Sequence, residues 1–491
     1  MWKNLIIILL TISLVAMTVL HLKELFPAQA TSIGDPPQPP ALEPEKEPKI
    51  DPTLAVLHAM KAAPGFQAAS IGFCLLADSM SPLVAYHANE AMTPASTLKA
   101  ITSATALEQL GSDFRFTTQL ASTKPIIIDP EGNFDGDLVL TGGGDPMLTS
   151  KTFLQWAQEL QGLGLTTITG NLIADAQHFP EQMIPNAWDW GDVSNYYGAG
   201  PSGLNLDFNR FTIHFKSGSS IGALPSYELT PLIPWLHVQN FSRTVAKTAS
   251  SWTSAYGGPY GDTLTLRGHI PLGSDSVACH AAIPDPAHYA TWVFQKALEN
   301  VGITLKGTRT TQRQLTLAKK TTINAHHTIK THVSAPLPEI IRYLHRTSDN
   351  MVTECLFQTL IKRDVDHESG VDSVKTHWRQ RGLNLQGLRM EDGSGLARAD
   401  FIRPSDMASV LWLTRRGDQG DRYFETLNQY HGGRVRWKGG SMSRVRGYTG
   451  FAQADDGKEY TFALLINNYE ADSDAIAHWR GRLIESILAG R

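Results

Sequence analysis

Ser96 and Lys99 form the first pair in the chain whose types and spacing can do chemistry. They lie in Thr93-Pro94-Ala95-Ser96-Thr97-Leu98-Lys99, which runs on to Leu110 and stops at Gly111. No proline follows Pro94 in this stretch, so it reads as one helix closed by a glycine cap. Residues three apart on a helix share a face, with Cβ atoms about 5–6 Å apart. Between Glu90 and Glu108 the only formal charge is Lys99, and apolar residues fall on nearly every side, as in a helix buried inside a domain. Burial strips water from an ammonium and lowers its pKa. A hydroxyl beside an amine that can lose its charge, at the positive end of a helix, is a Ser/Lys acyl-transfer centre in outline.

Two later stretches have the form such a centre needs. Leu337 to His345 and Met351 to Ile361 read as helices, with the polar turn Arg346-Thr347-Ser348-Asp349-Asn350 between them. Taken alone, that turn is a helix cap, because Ser, Asp and Asn all favour the position. Aimed into a cleft, the Ser348 hydroxyl can relay a proton to a leaving amine and the Asn350 amide can hold a substrate carbonyl. Further on, Arg434-Val435-Arg436-Trp437-Lys438-Gly439-Gly440-Ser441-Met442 reads as a strand entering a terminal hairpin. Its ordinary reading is a basic edge strand with a bulge. Its adjacent glycines weaken it but admit another backbone closely. Lys438 offers positive charge to a substrate carboxylate, Ser441 a hydroxyl, and the Ser441 N–H an oxyanion donor together with that of Ser96.

The joint order, Ser-x-x-Lys, then Ser-Asp-Asn, then Lys-Gly-Gly, resembles that of penicillin-binding proteins and serine β-lactamases, whose elements are S-x-x-K, S-x-N and K-T-G. More narrowly it is similar to the D-alanyl-D-alanine carboxypeptidase/endopeptidase family of the DacB or PBP4 type, peptidase family S13. The gap of 252 positions from Ser96 to Ser348 exceeds that of a β-lactamase, and members of this family carry inserted domains there. The segments PASTLK, LTGGGDPMLT, YYGAGPSGLN, AIPDPAHYA, TSDN and EDGSGLARAD carry the likeness from about Pro94 to the C-terminus.

The resemblance implies a penicillin-binding-protein or β-lactamase-like α/β (α+β) fold, an antiparallel sheet flanked by helices. It also implies a penicillin-sensitive serine carboxypeptidase or endopeptidase acting on peptidoglycan stem peptides. Ser96 would attack the D-Ala-D-Ala carbonyl and Lys99 would act as base. Ser348 would assist proton delivery, Asn350 would orient the peptide, and Lys438, Gly440 and Ser441 would line the carboxylate subsite. No metal or cofactor is implied, and the partners are stem peptides and β-lactams. Asp145, in the turn Gly142-Gly143-Gly144-Asp145-Pro146, is a candidate stem-peptide contact. One position departs from the family: Gly439 stands where K-T-G has threonine. A lost hydrogen bond to a charged group costs about 1.5–3 kcal/mol, roughly 10- to 150-fold in affinity or rate, so the expectation is weakened chemistry. The rival expectations are an impaired wall-binding protein that kept the fold, and a β-lactamase or esterase.

The rest of the chain frames these elements. Its 491 residues exceed one typical core. Net charge is −4, which gives nothing to attract nucleic acid. Cys74, Cys279 and Cys355 are too few for a disulfide framework, though one bridge is open to them. Residues 1–30 hold the apolar run Leu5–Leu20 behind Lys3, then Ala28-Gln29-Ala30, which is export-signal logic for a leader either cleaved or kept as a membrane anchor. A periplasmic protein is therefore expected. Residues 31–52 read as a proline-rich linker. Segments 53–113 and 329–491 are expected to form the peptidase domain, with 114–328 an inserted, β-rich part. Within the insertion, the loop Trp188–Pro201 mixes aromatics with carboxylates, as peptide or sugar clefts do, although aromatic loop anchors are as common. The strand pair near Ala69–His87 and the pair Tyr448–Asn468 are expected to join in one sheet despite their distance in sequence.

Overall fold

The first helix opens where the proline-rich stretch ends. In α1 (Pro52–Ala62) Asp51 is the N-cap, its carboxylate accepting from Thr53 N at 2.8 Å, and Pro52 takes the first position, where no N–H is needed. The structure is a computed structural model and describes residues 50–361 and 367–491. The expected leader and most of the linker lie outside the described residues. Among those described, no helix is long and apolar enough to cross a membrane.

The sheet joins both ends of the chain. Its strands are β1 (Ser70–Leu76), β2 (Val84–Tyr86), β3 (Asn428–Tyr430), β4 (Val435–Met442), β5 (Val445–Gln453) and β6 (Glu459–Asn467), in the antiparallel order β3-β4-β5-β6-β1-β2. β1 pairs with β6 from Ser70↔Asn467 to Leu76↔Thr461, the long-range junction expected from the two hairpins. Successive side chains of these strands enter different cores. Phe73, Leu75, Phe462, Leu464 and Ile466 pack with α1 and the C-terminal helix Ser473–Leu488, whereas Cys74, Leu76, Ala463 and Leu465 pack with helices on the other face. Burial on both faces is why the strands read as unbroken apolar runs.

The helix on that second face is α2 (Leu98–Leu110), every residue of which from Leu98 to Leu107 is buried. Gly111 closes it with φ 81°. Beside it stand α3 (Leu337–Thr347) and α4 (Asn350–Leu360), with α5 (Pro404–Arg415) between α2 and the sheet.

The segment 114–328 carries its own core, built from Leu120 to Ile303. A five-stranded sheet runs Arg309–Thr311, Leu172–Asp175, Leu138–Gly142, Thr117–Ser122, His327–Val333. The junction expected at 328/329 falls inside the last of these strands. Among its strands stand the helices Ser150–Gly162 and Pro286–Asn300. Phe153, Trp156, Ala157 and Leu160 recur at helical spacing and all four are buried. All three cysteines are buried free thiols, so the bridge left open by the sequence is not formed.

Candidate active site

Ser96 sits in a 3-10 turn, Ala95–Thr97, that leads directly into α2. Ala95 before it is held at φ 47°, a strained conformation for a residue with a Cβ. Lys99 follows on the first turn of α2 and is fully buried. Its Nζ donates to Ser96 Oγ at 3.0 Å, to Asn350 Oδ1 at 2.6 Å and to the Ser394 carbonyl at 2.6 Å. Burial holds its pKa down to about 8, against the opposing pull of Asp392, Glu354, Asp349 and Asp400. An amine with that pKa is partly neutral near pH 7, as a base must be.

The polar turn at 348–350 does two jobs at once. Asp349 is the cap that the sequence suggests, accepting from Val352 N at 3.1 Å, and it pairs with Arg210 at 2.5 Å. Ser348 ends α3 in the left-handed region, φ 58°, which turns it out of the helix. Its Oγ accepts from Lys438 Nζ at 2.9 Å. Asn350, besides accepting from Lys99, donates through Nδ2 to the Tyr197 carbonyl at 2.7 Å. Both side chains are therefore released from capping and committed to the cleft.

β4 supplies the third wall. A Cβ on Gly440 would stand 2.8 Å from Ser96 N and 2.7 Å from Thr97 N, so glycine is what lets the strand lie against the serine turn. On the neighbouring Gly439 the nearest atoms to a Cβ are the Tyr448 ring carbons at 3.9 Å, leaving room for the missing threonine. Lys438 departs from its expected place. It is 2% exposed, and its ammonium points inward to Ser348 Oγ and its neighbour's carbonyl, Gly439 O at 2.6 Å. Burial, and Lys99 secondarily, push its pKa well below the usual lysine range. It is placed to polarise Ser348 and does not reach out to a carboxylate.

Ser96, Ser348, Asn350 and Ser441 share one cleft of about 480 Å³. The described structure does not bring Asp145 there. That residue is buried against His332, at 3.3 Å, and is absent from the cleft wall. Two acidic residues do line the cleft: Asp349, already paired with Arg210, and Asp192, which stands with Tyr196, Tyr197 and Arg398. Asp192 belongs to the aromatic and acidic loop that the sequence marked without assigning.

Sequence reasoning gave no role to the turn that carries the Ser394 carbonyl. Asp392 organises it. Its carboxylate accepts from Gly395 N at 2.5 Å, Leu396 N at 3.0 Å, Ala397 N at 2.8 Å and Trp188 Nε1 at 2.7 Å. Gly395, φ 76°, comes so close to Ala95 O that a Cβ would lie 2.0 Å from it. Glu354 accepts from Gly393 N with both oxygens at 3.1 Å, and burial followed by Asp392 pushes its pKa up. Replacing Trp188 by phenylalanine keeps a single aromatic ring and removes the N–H donor to the buried Asp392 carboxylate. The expected cost is about 1.5–3 kcal/mol, read as a lower denaturant midpoint at unchanged m-value.

Comparison with known proteins agrees with this arrangement. The model of the D-Ala-D-Ala carboxypeptidase 3 (S13) family matches residues 54–483. The chain belongs to that family. This S13 chain is 24% identical over 433 residues to D-alanyl-D-alanine carboxypeptidase DacB of Haemophilus influenzae, covering 82% of the chain and 86% of that protein. To the D-alanyl-D-alanine carboxypeptidase of Actinomadura sp. it is 28% identical over 424 residues, covering 79% and 76%. Its fold matches the crystal structure of penicillin-binding protein 4 from Haemophilus influenzae with a TM-score of 0.77 at 21% identity, over 88% of the chain and 99% of that structure. A second structure of that protein, in complex with a β-lactam, matches with a TM-score of 0.71.

Proposed function

We propose that this S13 peptidase is a serine D-Ala-D-Ala carboxypeptidase and endopeptidase of the cell envelope that works through a Ser96 acyl-enzyme. The observation that carries the reading is the 3.0 Å hydrogen bond from a buried, pKa-depressed Lys99 to Ser96 Oγ, inside a cleft shared with Ser348, Asn350 and Ser441. Ser96 Oγ attacks the carbonyl of the penultimate D-Ala as neutral Lys99 takes its proton. The Ser96 and Ser441 N–H groups face the oxyanion, on backbone that Gly440 brings together. The C–N bond then breaks, and the departing amine receives a proton by way of Ser348, whose hydroxyl Lys438 polarises. Water hydrolyses the ester, and a β-lactam arrests the cycle at the acyl stage.

Beside the Arg210–Asp349 pair on the cleft wall, Asp192 and Arg398, the latter 3.4 Å from Asp189, offer the stem peptide groups of opposite sign. In this reading 53–113 and 329–491 make the peptidase domain and 114–328 the insertion that brings Asp192 and Tyr197 to it. The substrate places the protein in the periplasm, for which the apolar Leu5–Leu20 run is suited as export signal or anchor. The scaffold reading would need a broken site, and the hydrogen bonds among Lys99, Ser96, Asn350, Ser348 and Lys438 run against it.

The test is incubation with fluorescent penicillin and proteolytic mapping, together with D-Ala release from a pentapeptide. The label is expected on the peptide holding Ser96, with free D-Ala produced. Label on another peptide, or none on folded protein, would sink the assignment.

A further inference from the structure

Arg210 and Arg398 line the cleft, Lys438 and Arg446 stand next to its lining residues Ser348 and Ser441, and three of these four cations are already engaged; Arg210 pairs with Asp349 at 2.5 Å. Lys438 is buried on Ser348. Arg398 stands 3.4 Å from Asp189. The fourth is Arg446, directly opposite Ser441 in the β4–β5 register, its guanidinium 5.8 Å from the centre of the Tyr469 ring. Residues opposite each other in an antiparallel pair present their side chains on the same face. By alternation, Trp437, Gly439 and Ser441 also share that face, and Tyr448 stands on it opposite Gly439.

Arg446 Nη1 donates to Ser441 Oγ, and Ser441 lines the cleft with Ser96. Its remaining acceptors are the carbonyls of Met442 at 3.3 Å and Val445 at 3.2 Å. Neighbouring arginines behave differently: Arg444 stands 3.5 Å from Glu470 and Arg434 2.7 Å from Asp455. Among the described residues, the hydrogen-bond acceptors of Arg446 are all uncharged. A guanidinium stays charged at any working pH and its planar fork matches a carboxylate. Beside it, a Cβ at Gly439 would sit in ordinary contact with the Tyr448 ring, 3.9 Å away, where glycine has no side chain.

We propose that Arg446, with the Ser441 hydroxyl, reads the terminal carboxylate of the substrate, taking the part left vacant by Gly439 and by the inward turn of Lys438. The proposal rests on the Ser96 acyl-enzyme reading and adds to it a specificity determinant. The contact lies away from the bond that breaks, so it acts on binding and leaves the chemical step alone.

The experiment compares an acyl-D-Ala-D-Ala tripeptide with its C-terminal amide, in wild type, Arg446→Gln and Arg446→Lys. Arg446→Gln is expected to raise KM for the acid roughly 10- to 100-fold, the loss of a charge-assisted bond. Its kcat and its KM for the amide should stay near wild type. Arg446→Lys should recover part of the loss, and adding Gly439→Thr to Arg446→Gln should recover part by a different donor. Equal losses on acid and amide, or no loss on either, in a protein whose wild type still labels at Ser96, would overturn the carboxylate role alone. A wild type that turns over neither tripeptide and takes no penicillin would overturn the acyl-enzyme reading, and this proposal with it.

Discussion

Lys99→Met is expected to slow acylation of Ser96 by penicillin about 10²- to 10⁴-fold, the usual contribution of a positioned general base. Methionine keeps the length and apolar stem of the side chain but removes the amine. Three acceptors lose their donor: Ser96 Oγ, Asn350 Oδ1 and the Ser394 carbonyl. In the proposed mechanism the unprotonated amine is the active form, and burial holds its pKa at about 8. Wild-type acylation should therefore rise with pH and level off above about 8, falling tenfold for each unit below. The variant should lose that limb. Stopped-flow acylation at pH 6 to 10, with Ser96→Ala as the blank, reads both. A variant that keeps the same acidic limb would assign it to another group and remove Lys99 as the base.

The second large effect concerns two adjacent glycines with opposite surroundings. Gly440→Ala forces a Cβ to within 2.9 Å of Ser96 N, Thr97 N and Pro94 O, all backbone atoms with little freedom to yield. The strand must move away from the serine turn, and the N–H groups of Ser96 and Ser441, the proposed oxyanion donors, separate. Losing one such donor costs on the order of 10²- to 10³-fold in rate. Gly439→Ala meets nothing nearer than the Tyr448 ring at 3.9 Å and should change acylation less than about threefold. Measuring both by penicillin acylation, with circular dichroism to verify folding, gives a comparison in which each variant is the other's control. Equal effects would mean that close approach at 440 has no bearing on the chemistry.

How much of this was legible beforehand varied with the kind of information needed. The Ser96 and Lys99 pairing needed only local helix geometry and a charge-poor surround, and both are written in the seventeen residues between Glu90 and Glu108. The joining of β1 to β6 followed from two apolar hairpins that each lacked a partner. The direction of Lys438 was not readable, because a strand's alternation gives its face but not whether a partner such as Ser348 waits there. Asp145 drew attention through its glycine-rich turn, yet the fold buries it beside His332 and gives the cleft wall to Asp192. The carboxylates of Asp392 and Glu354 were invisible as a group: they are 38 positions apart and meet only after α4 packs on α2. The helix Ser150–Gly162, by contrast, had its signal in Phe153, Trp156 and Leu160, masked by the turn-rich texture around it.

Trp188, Tyr197 and Arg210 each end on a different member of the catalytic apparatus: Asp392, Asn350 and Asp349. All three come from the long interruption between the first two motifs, so that interruption is not a passenger that can be trimmed away. A shortened enzyme made by bridging residue 113 to 329 would keep Ser96 and Lys99, the proposed nucleophile and base, yet lose three of the struts around them. Any attempt at a minimal version would have to rebuild those struts from the peptidase half itself.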